Sequence, residues 1–305
     1  MLEYVSRAFR GSAQARLEHS LAVASAPSIR SGLRQLAALE PSSTEPDDQR
    51  PIFLLSAGWR AGSTLVQRLV MSDANVLMWG EPYNACSLIQ RLAATTVAFR
   101  GDWPLPHYYH DGTRPKLLSE QWIANLYPSI GAFRRGHRAA LDAMFAQPAS
   151  EAGASRWGIK EVRLGSEHAF YLRWLYPKAR FLLLYRNPLN AYQSYANAGR
   201  SWYDDWPDRP VFTPAEFGAH WRRLTEGYLR DATELDALIV RYEDLPKDPT
   251  LVDRIEAYLE LRLDRSVLEK KVSGAWVERA HVNRLERWLL KRATSPLAEK
   301  LGYRW

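Results

Sequence analysis

The chain has 305 residues, a net charge of +7 and a single cysteine, with 46% hydrophobic and 25% charged residues. That composition argues against global disorder and supplies a sizeable core, while Cys86 alone excludes an intrachain disulfide and a cysteine-based zinc site. The basic balance favours anionic partners, but the lysines and arginines are scattered, without the stripe expected of nucleic-acid binding, so no nucleic-acid partner is expected.

Residues 1–39 read as helical, interrupted near Ala26-Pro27, and carry Arg7, Arg10, Arg16, Arg30 and Arg34 among Ala, Ser and Leu. The reading adopted is one or two helices packed on the main domain. An organelle-targeting segment, or a membrane-surface helix giving peripheral membrane contact, is the alternative. No apolar run of about 18 residues occurs, so no membrane span is expected. The N-terminus lacks the apolar core of a signal peptide, and a cytoplasmic location is expected. Residues 40–51, EPSSTEPDDQRP, are rich in proline and acid and read as a linker. The division expected is a helical N-terminal extension and linker at 1–50 and the main domain at 51–305.

The main domain opens with Ile52 to Leu55, an apolar run of strand length. A turn bearing Gly58, Arg60 and Gly62 follows. Ser63 and Thr64 then open a stretch in which Leu65, Leu69 and Val70 share one helical face. A second apolar run, Val76 to Trp79, ends at Gly80-Glu81. Strand, glycine-bearing turn and helix together point free backbone N–H groups at an oxyanion. A phosphate-like group is therefore expected at residues 58–65, with the Glu81 carboxylate arriving from the next strand.

A helix is expected from about 84 to 99, with Cys86 as a small buried residue. Residues 101–120 are aromatic and broken by proline and glycine. They read as an irregular loop, either an acceptor lid or plain surface. Residues 119–148 read as helical and 149–155 as a small-residue loop. Trp157 to Lys160 is a short strand, 165–176 a helix, and RFLLLYR at 180–186 the clearest buried strand after the first. Asn187-Pro188 ends that strand, and a helix starts near Leu189. A second aromatic loop spans 199–213. A helix at 214–233, a strand at 237–240 that runs into Arg241-Tyr242-Glu243-Asp244, and a helix at 250–260 follow. Residues 264–305 read as helices and loops.

Strands near 52, 76, 157, 181 and 237, separated mostly by helices, predict an α/β fold with a P-loop-like parallel sheet flanked by helices on both faces. Ligands on such sheets lie beyond the carboxyl ends of the strands. Arg60, Glu81, Lys160, Arg186 and Tyr242 all follow strand ends, and that shared placement predicts one site. An ATP-type phosphate loop carries lysine directly after its last glycine. Here Ser63 follows Gly62, and the cation, Arg60, precedes it. No apolar strand ends in an aspartate suited to magnesium, so an anion handled without a metal is expected. His107, His110 and His168 are possible bases, but the surface reading is preferred for each, and they show no metal-ligand spacing.

GWRAGSTLVQRL, at 58–69, resembles the 5′-phosphosulfate loop of sulfotransferases that use 3′-phosphoadenosine-5′-phosphosulfate (PAPS). FLLLYRNPLNAYQSY, at 181–195, resembles the 3′-phosphate motif of the same family, in which a serine stands eight residues beyond an arginine, here Ser194 beyond Arg186. RYEDLPKDP resembles the segment beside the adenine pocket. The layout of Arg60, Glu81, Lys160, Arg186 and Tyr242, with VNRLERW and SPLAEKLGY, is most similar to the tyrosylprotein branch and its bacterial relatives. The resemblance covers about residues 51–305. Trp59 stands where proline is common and Ala61 where serine is usual. A single Glu81 before Pro82 replaces paired acids.

The resemblance implies a role for each of these residues. Backbone N–H groups from Ala61 through Gly62, Ser63, Thr64 and Leu65, with the two hydroxyls, would hold the 5′-phosphate. Arg60 and Lys160 would stabilise charge on the leaving oxygen. Arg186 and Ser194 would grip the 3′-phosphate, and Tyr242 would present its ring or hydroxyl to adenine. Ser273 and Arg287 would close over the phosphosulfate from the tail. Glu81 would be the general base for the acceptor hydroxyl. The function expected is transfer of the sulfuryl group of PAPS to a hydroxyl on a glycan, glycolipid or small molecule, with no metal. A tyrosyl peptide is the alternative acceptor. A nucleotide-binding protein with a degenerate site, or a kinase or NTPase, is the alternative of another class.

Overall fold

The computed structural model describes residues 28–39, 48–83, 86–110, 123–198, 211–269 and 282–305. In chain order the elements are α1 (Ile29–Leu39), β1 (Ile52–Ser56), α2 (Ser63–Val70), β2 (Val76–Trp79), α3 (Leu88–Ala94), α4 (Ile130–Leu141), α5 (Gln147–Glu151), β3 (Arg156–Glu161) and α6 (Ser166–Leu175). They continue with β4 (Arg180–Tyr185), α7 (Pro188–Asn197), α8 (Pro214–Asp231), β5 (Leu238–Arg241), α9 (Pro249–Leu259) and α10 (Arg284–Lys300).

The strands form one five-stranded sheet in the order β2-β3-β1-β4-β5. Every pairing in it is parallel. This is the α/β architecture expected. β1 lies at the centre, with Leu54 opposite Lys160 of β3 and Leu55 opposite Leu183 of β4. The two-residue period of a strand sorts its side chains between two cores. Phe53 and Leu55 enter one core with Phe181, Leu183, Trp157 and Ile159. Ile52 and Leu54 enter the other with Leu182, Leu184, Val66, Leu69 and Ile255. Helices therefore cover both faces, as a parallel sheet requires. A third, smaller cluster joins Trp59 to Tyr192, Tyr195, Phe217 and Leu290, beneath α7, α8 and α10.

Helix α1 packs on the domain. Leu33 and Leu36 are buried in the first core, and Arg30 reaches the carboxylates of Asp231 and Glu234. Close approach is possible because Gly32 faces a backbone: a Cβ there would stand 2.0 Å from the Thr96 carbonyl oxygen.

Several boundaries differ from those read in the sequence. The helix expected over 119–148 has its regular start at Ile130, because Ser129 caps it by accepting from the Ala132 N–H at 3.2 Å. A single 3-10 turn, Ile123–Asn125, precedes it. The loop expected at 149–155 is helical as far as Glu151. A π-turn at Asp142–Ala146 precedes Pro148 there, and it accommodates a residue that cannot donate to the helical ladder. The helix expected over 84–99 is α3 followed by a 3-10 turn, Thr95–Ala98. Cys86 is exposed rather than buried. Its backbone is spent on a turn, with its N–H on Tyr83 O and its carbonyl accepting from Arg91 Nε, which leaves the thiol outward of the core. Of the two aromatic loops, 111–120 and 199–210 lie outside the described residues. In the first, Tyr108 and Tyr109 pack against Tyr127. No described helix is long and apolar enough to cross a membrane.

If α1 belongs to the cooperative unit, Leu36→Ala should cost about 2–5 kcal/mol of unfolding free energy, as for other buried leucines. Chemical denaturation followed by tryptophan fluorescence measures this, and an unchanged midpoint would show that α1 unfolds separately.

Candidate active site

β1 ends at Ser56, and the chain turns over the carboxyl edge of the sheet. The Ala57 N–H donates to Leu184 O at 2.8 Å, and Ser56 Oγ donates to Gly58 O at 3.1 Å. Gly58, Arg60 and Gly62 all have positive φ, at 84°, 62° and 93°. For Arg60 this left-handed backbone costs on the order of 1–3 kcal/mol, which the surroundings must offset. At Gly62 two constraints coincide. Besides its φ, a Cβ would stand 2.2 Å from the Tyr242 ring, so the ring lies directly against the loop.

The turn delivers the chain into the start of α2. Among the described residues, the N–H groups of Gly62, Ser63 and Thr64 have no hydrogen-bond acceptor. They are the orphan donors of a helix start, and the positive end of the helix dipole lies with them. Ser63 is buried and Thr64 exposed; Ala61 is fully buried, and Leu65 is half-buried.

The second motif closes on the first. Arg186 follows the last residue of β4, and its Nη1 donates to the Arg60 carbonyl at 3.0 Å. Its guanidinium lies 4.3 Å from the centre of the Tyr242 ring, a cation–π contact. Arg186 Nε is buried and has no hydrogen-bond partner among the described residues. On α7, Ser194 Oγ accepts from Arg60 Nε at 2.8 Å. Asn187 fixes the start of that helix, its Oδ1 accepting from the N–H groups of Leu189 and Asn190 at 2.9 and 3.2 Å. Two cations are thus held together. Burial, and then the neighbouring Arg186, lower the pKa of Arg60 below the ordinary arginine value.

A separate cluster forms where β2 and β3 end. Lys160 Nζ donates to Glu81 Oε1 at 2.5 Å, with side-chain exposures of 8% and 26%. Strand alternation sends the next residue, Glu161, the other way. Its Oε1 accepts from Arg163 Nε at 2.6 Å and from the Val162 N–H at 2.8 Å, and Oε2 accepts from Arg163 Nη2. Burial pushes the Glu161 carboxyl up, opposed by Arg163 beside it. That buried pair anchors the strand end from which Lys160 projects.

The structure thus brings Arg60, Gly62, Arg186, Ser194 and Tyr242 into one contact group and Glu81 and Lys160 into another. Arg287 is not among them. It stands exposed on α10, its N–H on Asn283 O at 3.1 Å, and among the described residues its side chain makes no hydrogen bond or ion pair to the rest. Ser273 lies outside the described residues. His168 caps α6, with Nδ1 accepting from the Gly165 N–H at 3.2 Å, and His107 lies exposed against Tyr108. The sequence reading missed Trp221, Glu243 and Tyr303, which surround the segment after Arg186. Only Glu243 carried a local signal, standing directly after a residue already singled out.

Two guanidiniums, an ammonium and a row of unpaired N–H groups suit a multiply charged oxyanion, and a carboxylate stands beside the ammonium. A family model described as "Sulfotransferase family" matches residues 51–265. Comparison with curated proteins gives no match. Among solved structures, the sulfotransferase domain of the Synechococcus PCC 7002 olefin synthase is 19% identical, with a TM-score of 0.48 over 87% of this chain and 99% of that one. Sulfotransferase STF9 from Mycobacterium avium is 15% identical, with a TM-score of 0.43 over 91% and 82% of the two chains. Mouse sulfotransferase SULT7A1, solved with PAP, is 13% identical, with a TM-score of 0.38 over 90% and 85%. The matched segment spans well over half of the sequence, and the chain belongs to the sulfotransferase family.

Proposed function

We propose that this protein transfers the sulfuryl group of PAPS to a hydroxyl on a glycan, glycolipid or small molecule. The observation that supports this most is the joining of Arg60 and Arg186 around one segment, with the buried Nε of Arg186 left unpartnered among the described residues. Gathering two cations is unfavourable unless an anion joins them. The orphan amides at Gly62, Ser63 and Thr64 supply a second anion subsite, so the pair of subsites suits a nucleotide phosphorylated at both ends.

In this reading the bound PAPS supplies an activated sulfuryl group and a leaving oxygen that gathers negative charge. The amides of Gly62, Ser63 and Thr64 hold its 5′-phosphate. Arg186 and Ser194 hold the 3′-phosphate, and Tyr242 flanks the adenine side. Arg60 and Lys160 stabilise the leaving oxygen. Lys160 exchanges Glu81 for that oxygen, which leaves the Glu81 carboxylate to take the proton of the acceptor hydroxyl. As that proton leaves, the acceptor oxygen bonds to sulfur and the bond from sulfur to the nucleotide breaks.

Four measurements test this reading. Glu81→Gln should lower turnover by about 10²–10⁴-fold, the range of general-base assistance, with 3′,5′-adenosine bisphosphate (PAP) still bound; near-normal turnover would remove Glu81 from the role. In Gly62→Ala the new methyl displaces Tyr242 and strains the loop, so PAP affinity measured by calorimetry should fall about tenfold or more; unchanged affinity would place the nucleotide elsewhere. Wild-type protein should bind PAP in preference to ATP with magnesium, and the reverse preference would point to a kinase or NTPase. Radiolabelled PAPS offered with glycans, lipids, phenols and tyrosyl peptides then identifies the acceptor, and label on the peptide alone would replace the glycan reading.

A further inference from the structure

The peptide joining Arg186 to Asn187 is held at both of its polar groups. Its carbonyl, on Arg186, accepts from Trp221 Nε1 at 2.9 Å. Its N–H, on Asn187, donates to Glu243 Oε1 at 2.9 Å. Trp221 belongs to α8 and Glu243 to the turn after β5, so the peptide plane is gripped from two elements. It cannot rotate without breaking one grip.

Glu243 is itself seated. Tyr303 Oη donates to its second oxygen, Oε2, at 3.0 Å, and Arg241 Nε lies 3.7 Å from the same oxygen. The Tyr303 ring sits 4.6 Å from the Arg241 guanidinium and edge-on to Tyr185, the residue before Arg186. Burial, and then the Glu243 carboxylate, hold the Tyr303 phenol above its ordinary pKa, so it remains a donor at any working pH.

We propose that Glu243, seated by Tyr303, is a positioning residue that fixes the Arg186–Asn187 peptide and so aims Arg186 and Ser194 at the nucleotide's 3′-phosphate. The inference rests on the nucleotide site proposed above. Its mechanism is backbone orientation. The Arg186 fork is planar and needs a set direction to bind phosphate with paired hydrogen bonds. Asn187 also caps α7, so a turned peptide would shift Ser194 on the same helix. A misplacement of about 1 Å at such a site costs on the order of 10²-fold. Glu243 does this without touching the ligand, which distinguishes it from Arg186 itself.

The test compares PAP with adenosine 5′-monophosphate (AMP), which lacks the 3′-phosphate. Full-length wild type, Glu243→Ala, Glu243→Gln and Tyr303→Phe are titrated with both by calorimetry, with thermal melts of each. Wild type should prefer PAP. Glu243→Ala should lose roughly tenfold or more in PAP affinity and little in AMP affinity, raising KM for PAPS while kcat at saturation stays close to wild type. Glu243→Gln retains an amide oxygen for the Asn187 N–H and should recover most of that loss, and Tyr303→Phe should fall between. Equal losses for PAP and AMP, or an unchanged PAP preference in Glu243→Ala, would overturn the proposal in favour of a purely structural role. If Glu243→Ala does not fold, Tyr303→Phe decides: an unchanged PAP-to-AMP ratio overturns it. If wild type itself fails to prefer PAP, the nucleotide site is wrong and the inference falls with it.

Discussion

The hydrogen bond from Arg186 Nη1 to the Arg60 carbonyl joins two segments 126 residues apart, and the arrangement of the site depends on it. It is available only because β1 and β4 are neighbours in register, with Ser56 opposite Leu184. That register brings the carboxyl ends of the two strands to the sheet edge at the same height. The loop after β1 then meets the turn after β4 at once, and Ser194 returns along α7 to complete the contact through Arg60 Nε. The central position of β1 serves the other half of the site too. β3, on its opposite side, carries Lys160 out at the same edge, where Glu81 arrives from β2.

This placement concentrates features that weaken a fold: a left-handed arginine, adjacent guanidiniums and a buried guanidinium nitrogen without an acceptor. Each costs stability in the protein as it stands, and in the proposed reading a bound anion offsets the cost of the two guanidiniums while the backbone strain at Arg60 persists. The surrounding structure supplies the rigidity that keeps them in place. The fully buried strand β1 and the Glu161–Arg163 pair below Lys160 are examples. Strain at the site and order beneath it are two sides of one construction.

Much of the fold was legible in the sequence because parallel strands buried on both faces leave unbroken apolar runs, as in Ile52 to Leu55 and Phe181 to Leu184. The placement of Arg186 at the sheet edge was legible because it directly follows the run of β4, whereas Lys160 lies within the end of β3 and Arg60 is carried there by the turn after β1. For the rest, the local sequence did not announce the contact, even where, as at Glu243, a residue stood beside one already singled out. Trp221 reaches Arg186 across 35 residues and Glu243 reaches Asn187 across 56, and nothing in either segment marks the partner. The continuation of helix past Pro148 depends on a π-turn that composition does not encode. The exposure of Cys86 is set by a turn whose backbone partners lie on either side of it, whereas residue type alone favours burial.

The contact of Gly62 with Tyr242 reaches beyond this one molecule. The ring occupies the space that any side chain at 62 would need, and it lies also against Arg186. Residues 62 and 242 therefore cannot drift independently. A descendant that gains a side chain at 62 must surrender ring volume at 242 in the same step or pass through a crippled intermediate. Across related sequences the two positions should vary as one inherited character, with the aromatic residue appearing only where the glycine does.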